Sequence, residues 1–132
     1  MATNAQWTVV FEDKCIIKNN GAEAGTGYII NDDAFWTTTA FQNIWAIQSG
    51  TSNTSDEVEH RDGSAHCSLA DQEIEISQFI TRWDAAHLTQ LQSNWDTNNV
   101  KIEDPADSET YRDETEAEKI SRLGARPTSY SS

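Results

Sequence analysis

Residues 76–95, ISQFITRWDAAHLTQLQSNW, decide the fold, because they form the only long stretch with a sustained helical period. At about 100° per residue, large side chains fall along one side of a helix, with Phe79 and Leu88 beside them. The residues on that side are Ile76, Ile80, Trp83, His87, Leu91 and Trp95. A helix over residues 77–96 would be ~30 Å long. The DTNN segment that follows Trp95 favours a turn, which ends the helix.

Two polar residues, Asp84 and His87, interrupt this stripe and leave two interpretations open. In the first, the helix begins at Asp84, which is a good N-cap, and EIEISQFIT (73–81) forms a strand with alternating isoleucines. In the second, one uninterrupted helix carries an Asp84–His87 pair at the edge of its buried face. We favour the single helix.

The chain before this helix is typical of short β-strands separated by polar turns. Four runs are predicted as strands, namely WTVVF (7–11), KCIIK (14–18), YII (28–30) and NIWAIQ (43–48). A fifth, DEVEHR (56–61), has one apolar residue, so we interpret it as a solvent-facing edge strand that pairs with NIWAIQ. The residues NDD (31–33) predict a cap for a short helix or turn over 34–42.

These elements predict an α+β fold for residues 1–99. We expect a small, mainly antiparallel sheet of four to five short strands packed against one long C-terminal helix, followed by a polar arm. The acidic arm, residues 100–132, has little to bury. Thr115 and Glu118 fit a capping box and Gly124 fits a C-terminal cap, which predicts a short helix over 115–123. An isolated helix of this length is marginal in water, so we expect docking on its own domain or on a partner to order it.

The charge of the chain limits its partners. Twenty-two acidic residues against nine basic ones give a net charge of −13. Nucleic-acid backbones and anionic membranes both attract basic surfaces, so we expect neither to be a direct partner. No apolar run is long enough for a transmembrane helix, and the N-terminus lacks the pattern of a signal peptide. Two cysteines, Cys15 and Cys67, are expected to be reduced thiols.

No catalytic or metal-binding motif stands out. The candidate metal ligands are His60, His66, Cys67 and His87, but the spacing H-x5-HC matches no standard zinc pattern. Asp84 and His87 could orient one another in a small hydrolase, yet no nucleophile motif accompanies them. We therefore expect no catalytic residue, no metal ligand and no cofactor.

The densest charge patch lies at the predicted edge strand and beyond it. It contains Asp56, Glu57, Glu59, Asp62, Asp71, Glu73 and Glu75. A solvated edge that blocks sheet-to-sheet pairing is the favoured interpretation, and contact with a basic partner or mimicry of DNA phosphates is the alternative. Together with the apolar residues of the arm, it gives a candidate protein-interaction surface: Asp56, Glu57, Glu59, Asp62, Tyr111, Ile120, Leu123 and Tyr130.

Four phrases of the sequence are similar to those of a family of phage proteins. They are FEDK (11–14), GYIINDDAFW (27–36), NIWAIQSG (43–50) and EAEKISRLGARPTSYSS (116–132). They resemble small proteins encoded by tailed phages, especially the T4-like phages of marine cyanobacteria. The resemblance implies a setting rather than an activity, and no site residue is carried over from it.

Small acidic phage proteins fall into a few classes. The weakly anchored C-terminal arm and the loops rich in Asn, Thr, Ser and Gly favour a non-enzymatic virion- or tail-associated protein or assembly accessory protein, whose partner is a phage structural protein. The alternative is an early protein that binds and inhibits or redirects a host protein, and a small hydrolase using Asp84 and His87 comes third. The expected location is the host cytoplasm during infection, or the virion, and a homo-oligomer is left open.

Overall fold

The computed structural model describes residues 6–49, 57–104 and 107–131; the side chains of residues 104 and 107–109 are not described. The chain forms two compact units, the first ending at Ala86 and the second beginning at His87. Within the described part, the first unit contains a sheet and short helical turns. The second contains a hairpin and a short helix.

The first unit is built on a five-stranded antiparallel sheet. Its strands are β1 Trp7–Val10, β2 Cys15–Lys18, β3 Thr26–Ile29, β4 Ile44–Ser49 and β5 Glu57–His60, in the order β3-β2-β1-β4-β5. Every neighbouring pair is antiparallel, and the predicted pairing of the fourth and fifth runs is confirmed by the register Ile47 opposite Val58. The α+β class and the antiparallel sheet are therefore confirmed.

The long helix is continuous. Helix α1, Asp33–Trp36, is capped by the Asp32 side chain as the NDD segment predicted, and a 3-10 turn follows at Thr39–Phe41. Helix α2 runs over Ser77–Thr97, which confirms the single-helix interpretation and excludes a strand over residues 77–81. Asp84 is therefore an interior residue of the helix and not its N-cap.

The prediction that the long helix is the C-terminal one is wrong. Helix α2 lies in the middle of the chain and is followed by strands β6 Lys101–Asp104 and β7 Asp107–Asp113 and by helix α3 Glu116–Leu123. The last helix is short. The sequence did not predict this hairpin because its strands are polar and show neither alternation nor an apolar run.

Helix α3 starts as its sequence predicts. The Thr115 hydroxyl accepts a hydrogen bond from the Glu118 backbone N–H at 3.2 Å, and the Glu118 carboxylate accepts one from the Thr115 N–H at 2.8 Å. This reciprocal pair is the capping box expected from the sequence. Gly124, at φ +82, ends the helix in a backbone region that favours glycine.

The core of the first unit lies on one face of the sheet. Alternate residues of β1, beginning with Trp7 and Val9, point to this face, as do Ile16, Ile47 and Val58. The first half of α2 contributes Phe79 and Trp83, both fully buried. Phe79, which the helical period placed at the edge of the stripe, is instead at its centre. Its ring lies among four others, Phe11, Phe35, Trp36 and Phe41.

The second unit has no comparable core in its described part. All fifteen buried apolar residues of the described chain lie between Trp7 and Trp83. Leu91 and Trp95, predicted as core, are only partly buried. The one buried residue in the described part of this unit is Lys119, whose ammonium lies 4.0 Å from the centre of the Trp95 ring and donates to Asn99 Oδ1 at 2.6 Å.

Candidate functional site

The acidic part of the predicted surface does not form one exposed edge. Glu57 is buried, with 9% of its surface exposed, because β5 is covered on both sides. One side pairs with β4. On the other side, Val58 and Cys67 exchange backbone hydrogen bonds of 2.8 and 3.4 Å. The expectation of a fully solvated edge strand is therefore wrong at Glu57, and Asp56 lies outside the described residues.

The remaining acidic residues of that surface differ from one another. Glu59 is partly buried, whereas Asp62 is exposed in the turn after β5. The Asp62 carboxylate accepts hydrogen bonds from the Ser64 hydroxyl at 2.5 Å and the Ser64 N–H at 2.9 Å, and it also accepts one from the Asn43 amide. These hydrogen bonds lower the pKa of Asp62. Asp62 thus stabilises its own turn.

Edge strand β5 and the segment after it assemble a mixed group of nitrogen and oxygen donors. Side chains alternate along a strand, so Glu57 and Glu59 share one face. The Val58–Cys67 bridge brings residues 66 and 67 alongside, and His66 lies on the face of the two glutamates. One donor atom from each of Glu57, Glu59 and His66 lies within 4.8 Å of the others. His66 Nδ1 is in direct contact with Glu57 Oε1.

The other two metal-ligand candidates of this region lie on the opposite face of β5. Cys67 Sγ is 3.8 Å from His60 Nε2. The fourth candidate, His87, belongs to the second unit, where its ring packs edge-on against Tyr130 with 4.4 Å between ring centres. The four residues grouped by the sequence are therefore separated into three places.

The apolar residues predicted for the interaction surface are exposed in the second unit. Tyr111 is 65% exposed, Ile120 40% and Leu123 36%. Ile120 and Leu123, three residues apart on α3, lie on the same side of that helix. Leu123 also lines a groove of about 210 Å³ together with Leu91, Trp95, Pro127 and three smaller residues. Tyr130 is only partly exposed.

Arginine–carboxylate pairs hold the second unit together. Arg112 donates to both oxygens of Glu118 at 2.8 and 3.0 Å. Arg122 donates to both oxygens of Glu114 at 3.1 and 2.5 Å. Such two-point pairing fixes the orientation of both partners. The sequence did not predict these pairs, because their members are separated by six and eight residues and belong to different elements.

A third two-point pair joins Arg126 to Asp96 at 2.8 and 2.9 Å. The pairs change the acidity of their carboxylates. The hydrogen bonds from Arg112, followed by that from the Thr115 N–H, lower the pKa of Glu118 to about 2. Hydrogen bonds from the side chains of Arg122 and Arg126 lower the pKa of Glu114 and Asp96 respectively.

Comparison with known proteins adds no relative. No protein-family model matches the chain, and neither a curated protein nor a solved structure matches it. Among the described residues, none of the helices has the length and apolar character needed to span a membrane.

Proposed function

We propose that the protein is a non-enzymatic, protein-binding module whose binding surface lies in the second unit. The observation that carries this proposal is the distribution of apolar side chains. Four of the six large apolar residues that are exposed in the described chain belong to this unit, namely Val100, Tyr111, Ile120 and Leu123. The described part of the same unit buries no apolar side chain, so polar contacts hold it and its apolar groups remain available to a partner.

The surface has the form expected of a docking site for another protein. Ile120 and Leu123 provide an apolar ridge on α3, and the groove beside Leu123 could accept a side chain of the partner. Charged residues surround them, among them Glu116 on the same helix. Apolar contacts enclosed by a polar rim are typical of specific protein interfaces.

We further propose that the partner is a structural protein of a tailed phage and that the chain is a virion- or tail-associated protein or an assembly accessory protein. The resemblance of four phrases to small cyanophage proteins suggests the setting. A weakly cored unit that gains contacts on docking suits assembly, because its order then depends on the partner. A second candidate is capture of a host protein with a basic surface, which the net charge of −13 favours.

The test compares two variants of the complete chain in infected host cells. Ile120→Ser combined with Leu123→Ser removes the ridge. Ile29→Ser is the matched control, because Ile29 is 66% exposed in the first unit. Wild-type and control chains are expected to recover the same partner by affinity capture, whereas the double variant loses it. Loss in both variants, or in neither, would contradict the proposed surface.

The virion role has a separate measurement. Mass spectrometry of purified virions is expected to detect the chain in stoichiometric amounts with the wild type and the control variant. Virions that lack the protein, together with recovery of a host protein in the capture experiment, would overturn the virion role and favour the second candidate.

A further inference from the structure

We propose that Glu57, Glu59 and His66 form a binding site for a divalent transition-metal ion of the Zn²⁺ class. Two carboxylates and one imidazole already converge, with one donor atom of each within 4.8 Å of the others. The arrangement follows from backbone structure: strand alternation places the glutamates on one face, and the Val58–Cys67 bridge delivers His66 to it. The site is independent of the protein-binding surface.

The local electrostatics favour a bound cation. Glu57 is nine-tenths buried, and its carboxylate already contacts the imidazole of His66. Glu59 places a second carboxylate beside it, and no hydrogen bond or ion pair joins the Glu59 side chain to a described residue. The neighbouring cation on the chain, Arg61, lies over the Trp45 ring at 5.6 Å. A divalent ion would bind both carboxylates at once.

The donor set selects the class of ion. Imidazole nitrogen with carboxylate oxygen suits Zn²⁺ and similar ions, whereas Ca²⁺ takes six to eight oxygen ligands. Bonds of ~2.0–2.2 Å to a tetrahedral Zn²⁺ place donor atoms about 3.3–3.6 Å apart. Small side-chain rotations achieve this spacing, because His66 is about half exposed, with 53% of its side-chain surface accessible. Three protein ligands leave a fourth position for water or for a group of another molecule.

The opposite face of the same strand supplies the control. His60 and Cys67 are common zinc ligands, but alternation directs them away from the glutamates. A metal bound by Glu57, Glu59 and His66 therefore does not need them. Replacing His60 should leave binding intact, whereas replacing Glu59 or His66 should not. Glu59→Gln is the sharper variant, because the amide keeps the shape of the side chain and Glu59 has no described partner to lose.

The experiment titrates Zn²⁺ into tag-free, chelator-treated, complete protein by calorimetry at about 150 mM salt, where nonspecific attraction to the acidic chain is screened. We expect saturable binding of one Zn²⁺ per chain. Glu59→Gln and His66→Ala should each weaken the affinity for Zn²⁺ by at least ~10-fold. The controls His60→Gln and Glu75→Gln should each change that affinity by less than ~3-fold. Circular dichroism of each variant before titration establishes that it is folded.

Three results would overturn the proposal. One is the absence of saturable Zn²⁺ binding with a Kd below ~1 mM. Another is unchanged affinity in folded Glu59→Gln, which would leave the Glu57–His66 contact as an ion pair without a metal. The third is equal weakening by Glu59→Gln and Glu75→Gln, which would indicate binding to the general negative charge. None of these results bears on the protein-binding surface, because the variants of the two experiments share no residue.

Discussion

Phe79→Ala should cost the first unit most of its stability. The Phe79 side chain is fully buried. Four aromatic rings surround it, at centroid distances of 5.4 Å to Phe35, 5.6 Å to Phe41, 5.9 Å to Phe11 and 6.4 Å to Trp36. Replacing the Phe79 side chain by a methyl group leaves a cavity the size of the ring. The four surrounding rings also pack against one another, so they cannot move far enough to fill it.

The magnitude follows from these contacts. Phe→Ala in a packed core typically costs ~3–5 kcal/mol, and each aromatic pair adds about 0.5–1.5 kcal/mol beyond burial. We expect the upper part of the first range, ~4–5 kcal/mol. Natural domains are stable by only ~5–15 kcal/mol, so a loss of this size removes a large part of the free energy of unfolding. Phe79→Leu, which keeps most of the volume, should cost ~1–1.5 kcal/mol and remain measurable.

Urea unfolding followed by tryptophan fluorescence measures these differences, because Trp36 and Trp83 lie in the same core. The control is Leu88→Ala on the same helix, a partly exposed residue for which we expect a loss below ~1.5 kcal/mol. A loss below ~1.5 kcal/mol for Phe79→Ala would refute the conclusion that Phe79 is the centre of the core. So would a loss equal to that of Leu88→Ala.

The remaining predictions concern the second unit and the sheet. The carboxylates with lowered pKa, Asp96, Glu114 and Glu118, stabilise above their unfolded pKa and lose that contribution as the pH falls through their folded pKa, which for Glu118 is about 2. The Glu118 carboxyl shift in NMR should therefore stay constant until the pH approaches about 2, and a titration near the ordinary glutamate value of about 4.3 would contradict the pairing. Thr115→Ala should remove the capping box and cost ~1 kcal/mol, seen as faster amide hydrogen exchange confined to α3; unchanged exchange there would count against it. Gly27→Ala would place a Cβ 2.9 Å from Ile17 Cγ1 and 3.1 Å from Cys15 Sγ. The substitution should destabilise the folded state by ~1 kcal/mol. The lower conformational entropy of the unfolded chain would by itself have the opposite effect and stabilise the folded state.

The sheet and the long helix could be predicted because local patterns and tertiary structure agree there. Alternation and β-branched residues marked the strands, and the pairing of β4 with β5 followed from adjacency across a loop. The period of residues 76–95 predicted one helix. It did not predict which residues of that helix are buried, because the face that packs depends on the aromatic rings of α1 and the turn at 39–41. Phe79 lies at the centre of the buried face because it packs against those rings.

The candidate metal site and the second hairpin could not be predicted for a different reason. Glu57, Glu59 and His66 come together through a single bridge between Val58 and Cys67, and no sequence spacing encodes such a bridge. The hairpin of β6 and β7 is formed by polar residues, and arginine pairs join β7 and Glu114 to α3. Hydrophobic periodicity does not predict elements of this kind. The capping box at Thr115 was predictable because all of its contacts are local.

The two units depend on different forces, and this difference supports the two proposals. An apolar core stabilises the first unit, so its edge can hold like charges close together, as at Glu57 and Glu59, without loss of the fold. In the second unit, partly exposed ion pairs supply the contacts, and burial of a large apolar side chain stabilises more than an ion pair of this kind. A partner that covered Ile120 and Leu123 would add the apolar burial that the described part of this unit lacks, so binding and stability of the second unit should rise together. The thermal midpoint of α3 should then increase on adding partner, while that of the first unit should not.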